Sequence, residues 1–289
     1  MLLEVKGLTH VYMQGTPFEV SALKETNLQI ARGSITGIIG QTGSGKSTLV
    51  QHFNGLLTPS KGRVFFDGRD IWAGKTLLRE VRRRVGLLFQ YPEEQLFEDR
   101  VYDDVAFGIK NLKLSPAEEA ERVKRALKQV NLDYQGVKDR SPFSLSGGEK
   151  RRAAMAGVLV MNPELLILDE PTAGLDPRGR REILREIKEL HREENLTVVI
   201  VSHSMEDIAW LAEDLVVLQD GEIILKGPPE AVFAREERLK EAGLSVPEVN
   251  RVLKRLKEAG FDLETGIYTV EEAEEEIWRA VGGKSCEPH

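Results

Sequence analysis

Apolar and polar residues alternate along Leu2 to Tyr12 and again along Ala22 to Ile30, and this period of two predicts antiparallel strands with one covered face. The pattern then changes. Ile35-Thr36-Gly37-Ile38-Ile39, Val85-Gly86-Leu87-Leu88-Phe89-Gln90, Leu165 to Leu168 and Leu196 to Val201 are short runs with little alternation, as in parallel strands buried on both faces. Gly62 to Gly68 reads as a hairpin strand bounded by turn residues. Leu215 to Leu225 reads as a hairpin that turns at Asp220-Gly221, where positive φ angles are readily adopted.

Helical patterns fill the intervals. One helix follows Ile39 and ends near Gly55, and a charged amphipathic helix runs from about Pro177 to Glu194. Pro92 marks a break, and the stretch from Val101 to Val160 is helical in character. Within it Ser115-Pro116-Ala117-Glu118 is a helix start with an N-cap serine, a first-turn proline and a glutamate three residues after the cap. Val123, Ala126, Leu127 and Val130 then recur at helical spacing. Strand, helix and strand in succession predict an α/β fold with a largely parallel sheet covered on both faces. The expected division is a domain over 1–229, with a helical subdomain inserted at about 92–160, and a helical C-terminal domain over 230–289. Val249, Val252, Leu253 and Leu256 share one face there, which fits a separate small domain and equally a helical tail packed on the core.

Composition bounds the function. The chain has 289 residues, 41% hydrophobic and 30% charged, enough for a large core and typical of a soluble globular protein. The N-terminal residues lack the basic-then-apolar pattern of a signal peptide, and no apolar run approaches the roughly 20 residues that cross a bilayer. A cytosolic protein that reaches a membrane only through a partner is therefore expected. A single cysteine, Cys286, fits a reducing compartment. The net charge of −7 argues against a nucleic-acid partner, although Arg79 to Arg84 forms a local basic patch.

Gly40-Gln41-Thr42-Gly43-Ser44-Gly45-Lys46-Ser47-Thr48 lies between the run ending at Ile39 and a helix, which is the context of a phosphate-binding P-loop. Its glycines let successive backbone N–H groups converge on an anion at a helix N-terminus. Lys46 would reach the β- and γ-phosphates, and the Ser47 hydroxyl would take a Mg²⁺ position. Leu165-Leu166-Ile167-Leu168-Asp169-Glu170 is an apolar strand ending in two carboxylates, the Walker B pattern. Asp169 would hold Mg²⁺ through its water shell, and Glu170 would orient or deprotonate the attacking water.

Leu145-Ser146-Gly147-Gly148-Glu149-Lys150-Arg151-Arg152 resembles the signature motif of ATP-binding-cassette ATPases, departing from it at Glu149, where glutamine is usual. The resemblance implies a RecA-like P-loop core, an antiparallel β subdomain and an inserted helical subdomain, with ATP and Mg²⁺ as cofactors. It implies further site residues: Gln90 as the Q-loop glutamine at Mg²⁺ or the lytic water, Asp176 in a D-loop, and His203 as the switch histidine at the γ-phosphate. Tyr12 matches the aromatic residue that stacks on adenine, with Phe18 as a rival. In such cassettes two copies dimerise head to tail. Ser146, Gly147 and Gly148 of one would then face the γ-phosphate held by the other, and an isolated monomer should bind ATP yet hydrolyse it poorly.

Narrower likenesses lie in Tyr12 to Glu19, in Phe89 to Phe97, and in Lys150 to Leu159. These resemble energy-coupling-factor transporter ATPases, which power uptake of vitamins and of cobalt or nickel ions. That resemblance implies a second cassette ATPase as partner, a paralogue being favoured and a homodimer open. It also implies a transmembrane coupling subunit and a substrate-binding membrane subunit, at the cytoplasmic face of the cell membrane. Glu93 to Phe97 is expected to offer exposed apolar and acidic residues to the coupling subunit, and the C-terminal helices to help hold the ATPases together. The alternative is a soluble cassette ATPase acting on nucleic acid or the ribosome. A single copy of each motif and an ordinary helical insertion speak against it.

Overall fold

The computed structural model describes residues 1–281; Cys286 and the end of the expected 230–289 region lie outside the described residues. The chain forms ten strands among these residues: β1 (Leu3–Tyr12), β2 (Val20–Ile30), β3 (Ile35–Ile39), β4 (Lys61–Phe66), β5 (Arg69–Asp70), β6 (Val85–Leu88), β7 (Leu165–Asp169), β8 (Thr197–Val201), β9 (Asp214–Gln219) and β10 (Glu222–Gly227). They divide into two sheets. The first is antiparallel with order β2-β1-β4-β5, and the second has order β10-β9-β3-β8-β7-β6. In the second sheet β9, β3, β8, β7 and β6 run parallel, and only β10 turns back, through Asp220 at φ 50° and Gly221 at φ 83°.

The unalternating runs are explained by two cores. Ile167, Val199, Val201, Val216 and Leu218 face one cluster, shared with the antiparallel sheet and with Phe53 of the helix Lys46–Phe53. Leu166, Leu168, Val198, Ile200 and Val217 face the other, which the flanking helices complete. Every position of β3, β7 and β8 is buried, so neither face of these strands has room for a polar surface.

Between β6 and β7 the chain is helical, chiefly in Val101–Phe107, Pro116–Gln129 and Gly147–Leu159. The Pro116 helix begins as its sequence predicts. Ser115 accepts from the Glu118 N–H while the Glu118 carboxylate accepts from the Ser115 N–H. Beyond β10, Val232, Phe233, Leu239, Val246 and Tyr268 join the larger core, whereas Leu253, Leu263 and Ala273 form a small cluster of their own. Among the described residues no helix is long and apolar enough to cross a membrane.

The basic patch at Arg79 to Arg84 is partly spent within the fold. Arg84 pairs with Asp67, Glu80 and Glu164, and Arg82 donates to the Gly55 carbonyl.

Candidate functional site

Parallel strands end on one side of a sheet, and Gly40, Glu170 and His203 lie just past the ends of β3, β7 and β8 on that side. Register fixes their approach: Ile38 pairs with Val201 across β3 and β8, and Asp169 with Val201 across β7 and β8.

The glycine-rich loop is held from below. Gly45 caps the following helix at φ 102°, and a Cβ there would meet the Ala22 carbonyl oxygen at 2.4 Å. Gly221 donates to the Ser44 carbonyl at 3.0 Å, which ties the loop to the β9–β10 turn. Lys46 is buried and folds over the loop, donating to the carbonyls of Gly40 at 2.8 Å and Gln41 at 2.9 Å. Burial lowers its pKa, while the nearby Glu170 and Asp169 carboxylates pull it back up. Thr42, Gly43 and Ser47 stay exposed, whereas the Ser44 hydroxyl is buried without a protein partner. A lysine held by two weak carbonyl acceptors and an orphaned hydroxyl fit an anion such as a triphosphate. Thr48 continues into the helix, where its hydroxyl lies 3.1 Å from that of Tyr12. Phe18 is 75% exposed on the loop between β1 and β2.

Asp169 and Glu170 differ in role-setting surroundings. Asp169 is buried; burial raises its pKa, opposed by a hydrogen bond from Ser47 and by the Lys46 charge. Glu170 sits at φ 54°, and its pKa is pushed up to about 7, first by burial. The His203 N–H at 3.4 Å opposes that shift and the Asp169 charge adds to it. Glu170 Oε1 lies 3.1 Å from His203 Nε2 but out of hydrogen-bond alignment, and it has no other partner. The imidazole pKa is lowered by burial and then by Lys46, which favours the neutral ring. A carboxyl poised near neutrality beside a neutral imidazole suits proton abstraction from water.

For a divalent cation the donors are the Ser47 hydroxyl and the Asp169 carboxylate, whose pKa the nearby hydroxyl helps to lower. Among the described residues no cluster of three His, Cys, Asp or Glu side chains could hold a metal alone. Few protein oxygens, with phosphates completing the shell, fit Mg²⁺ rather than an all-protein metal cage.

The sequence places Gln90 at the end of its strand, but β6 stops at Leu88 and Gln90 follows it, exposed, before a 3₁₀ turn over Pro92–Gln95. The expected exposed surface from Glu93 to Phe97 is corrected at Leu96, which is buried at 8% because the turn rotates it into the helical core. Phe97 remains outside, edge-on to Phe107 at 4.9 Å between centroids.

Ser146 and Gly147 are exposed at the start of the Gly147–Leu159 helix. Glu149, the departure from the signature pattern, closes a capping box there: it accepts from the Ser146 N–H at 2.8 Å, and its own N–H donates to the Ser146 hydroxyl. Asp176 is likewise a cap, accepting from the Gly179 N–H at 2.7 Å. Among the described residues no hydrogen bond or ion pair links Ser146 to Gly148 with the P-loop of the same chain.

Two features escape a reading of the sequence. Arg151, 2% exposed, grips Glu93 and the carbonyls of Pro171 and Ala173. Gly243, Leu244 and Ser245 line a cleft of about 450 Å³ together with Gly40 to Thr42 and His203, and Gln41 donates to the Gly243 carbonyl at 3.4 Å. The first hides in a run of basic residues that looks solvated. The second joins positions far apart in the chain with no local pattern to announce it.

A glycine-rich loop between a buried parallel strand and a helix, with its lysine near an acidic pair at the end of β7, on the far side of β8, defines a P-loop nucleoside triphosphatase. The family described as ABC transporter matches residues 23–173, and the chain belongs to it as an ATP-binding, ATP-hydrolysing cassette. Within that family it is an energy-coupling-factor ATPase. It is 52% identical over 285 residues to the energy-coupling factor transporter ATP-binding protein EcfA2 of Clostridium tetani, covering 99% of both chains. It is 50% identical over 285 residues to the EcfA2 of Clostridioides difficile, covering 98% of this chain and 99% of the relative. CbiO1 from Clostridium perfringens, part of the ABC transporter complex CbiONQ, is similar in structure with a TM-score of 0.75. It is 42% identical, with 88% of this chain and 96% of that one covered. The cassette MJ0796, solved as a dimer in a post-hydrolysis state with ADP and Pi, has a TM-score of 0.70 and 29% identity over 79% of this chain and 99% of its own.

Proposed function

We propose that this chain is the ATP-hydrolysing subunit of an energy-coupling-factor importer, driving uptake of a vitamin or transition-metal ion through membrane partners. The observation that carries the reading is the convergence of Lys46, Asp169, Glu170 and His203 at the ends of β3, β7 and β8, in a chain whose full length aligns with EcfA2 proteins.

The P-loop from Gly40 to Thr48 cradles the phosphates with its backbone N–H groups, and Lys46 swings from the Gly40 and Gln41 carbonyls to the β- and γ-phosphates. Tyr12, beside Thr48, stacks on adenine. Ser47, Asp169 and Gln90 would hold Mg²⁺, which supplies charge neutralisation at the phosphates. Glu170 takes the proton of the attacking water, and His203 contacts the γ-phosphate while steering the Glu170 carboxylate. Ser146 and Gly147, exposed at a helix start, and the half-buried Gly148 close the corresponding site of a second cassette, with Asp176 at the same interface. A head-to-tail pair, with a paralogue favoured over a second copy, is therefore the hydrolysing unit.

The chain lies at the cytoplasmic face of the membrane, held there by a transmembrane coupling subunit and associated with a small substrate-binding membrane subunit. Purification from native membranes tests this. Recovery of a cassette paralogue, a coupling subunit and a small membrane protein supports it, and recovery of ribosomes or DNA instead refutes it.

A further inference from the structure

We propose that Arg151 is a positioning residue that transmits the state of the segment after Gln90 to the turn that holds Glu170. The inference rests on the importer reading, which makes the Gln90 segment the one that meets the membrane partner.

The guanidinium joins three parts of the chain. Its Nε and Nη2 donate to the two carboxylate oxygens of Glu93 at 3.1 and 3.0 Å. Nη1 donates to the Pro171 carbonyl and Nη2 to the Ala173 carbonyl, both at 3.0 Å. Arg151 itself lies on the helix that begins with Ser146, so the signature helix, the Gln90 segment and the turn after β7 meet at one side chain.

Each contact has a consequence along the chain. Ala173, whose carbonyl Arg151 holds, donates its own N–H to the Glu170 carbonyl at 3.1 Å. The turn thus closes on Glu170, which sits at a positive φ and depends on that turn to stay there. Three residues after Ala173 comes Asp176, the cap of the next helix. At the other end Glu93 is 26% exposed, so it is within reach of a docking partner, while Arg151 behind it is sealed from water. A planar fork with four bonds in a buried site has little freedom to adapt, so a shift of Glu93 must either drag the guanidinium or break its hold on the carbonyls. Lysine at this position would keep the charge and lose the fork.

The test uses the assembled transporter complex in liposomes, with Glu93→Gln, Arg151→Lys and the double variant. Each single substitution is expected to lower the partner-stimulated kcat about tenfold with KM for ATP within twofold of the parent, because positioning rather than nucleotide binding is lost. The double variant is expected to fall no further than about tenfold, since both changes cut one linkage. If the single variants keep kcat within twofold of the parent while their Tm falls, Arg151 is structural only and the proposal is overturned. A double variant reduced about a hundredfold overturns it as well, by showing two independent effects. A parent complex whose ATPase is not stimulated by its membrane partners overturns the importer reading, and this proposal with it.

Discussion

Replacing Glu170 by glutamine should stabilise the free chain in a pH-dependent way while abolishing hydrolysis. Burial pushes the Glu170 pKa up from 4.5 to about 7, so the folded chain holds a proton there that the unfolded chain has released. The sign follows from linkage. Stability contributed by this group is fully present below pH 4.5 and is lost as the pH rises through 7. The whole loss is about 3 kcal/mol, of which about 2 falls between pH 5.5 and 8.5. Glutamine does not titrate, and its amide oxygen can still accept from the His203 N–H, so the variant escapes that loss. Urea unfolding of the nucleotide-free, metal-free chain at both pH values measures it. The stability difference, variant minus parent, should grow by about 2 kcal/mol from the lower pH to the higher, other titrating groups cancelling in the difference. A difference that changes by less than about 0.5 kcal/mol would show that Glu170 ionises freely, and the account of it as a base poised near neutrality would be wrong. The same variant in the assembled complex should bind ATP and hydrolyse none of it; parental turnover would remove Glu170 from the mechanism.

The remaining expectations concern the frame of the site. His52 is buried beside His10, and burial holds its pKa down at about 4, so its contribution is present above pH 6.5 and is lost as the pH falls through 4. Urea unfolding should accordingly lose about 3 kcal/mol more in the parent than in His52→Gln over that window, and parallel pH profiles would contradict the buried neutral ring. Gly45→Ala meets both a φ of 102° and the Ala22 carbonyl, so it should cost about 2 kcal/mol or more in unfolding free energy and abolish binding of a fluorescent ATP analogue. Glu149→Gln keeps an acceptor for the Ser146 N–H and should stay within about 0.5 kcal/mol of the parent, whereas Glu149→Ala should lose about 1 kcal/mol. Equal stabilities for the two Glu149 variants, read by thermal unfolding, would remove the capping role.

What the sequence makes legible here is what a few neighbouring residues can specify by themselves. The unalternating runs of β3, β7 and β8 demand burial on both faces, and two cores supply it. Ser115 with Glu118, and Asp220 with Gly221, carry their geometry within four residues. The loop from Gly40 to Thr48 is of the same kind, because its conformation is dictated by its own glycines. Arg151 is of the opposite kind. Its neighbours Lys150 and Arg152 suggest a solvated basic stripe, and Arg152 does reach a partly open pair with Glu182 and Glu186. Only Glu93, 58 positions earlier, together with two carbonyls some 20 residues later, makes a buried guanidinium tolerable at its neighbour. Leu96 misleads for a related reason: a single 3₁₀ turn is too short to show a period, so its inward face becomes visible only once the helical core exists to receive it. The contacts that sequence leaves unread are thus those whose energy depends on a partner distant in the chain. In this cassette one set of them joins Glu93, Arg151 and Ala173, where the inserted helices meet the ATP-binding sheet. A site assembled from two separately folding patterns needs such a joint, and a joint has no periodicity of its own to read.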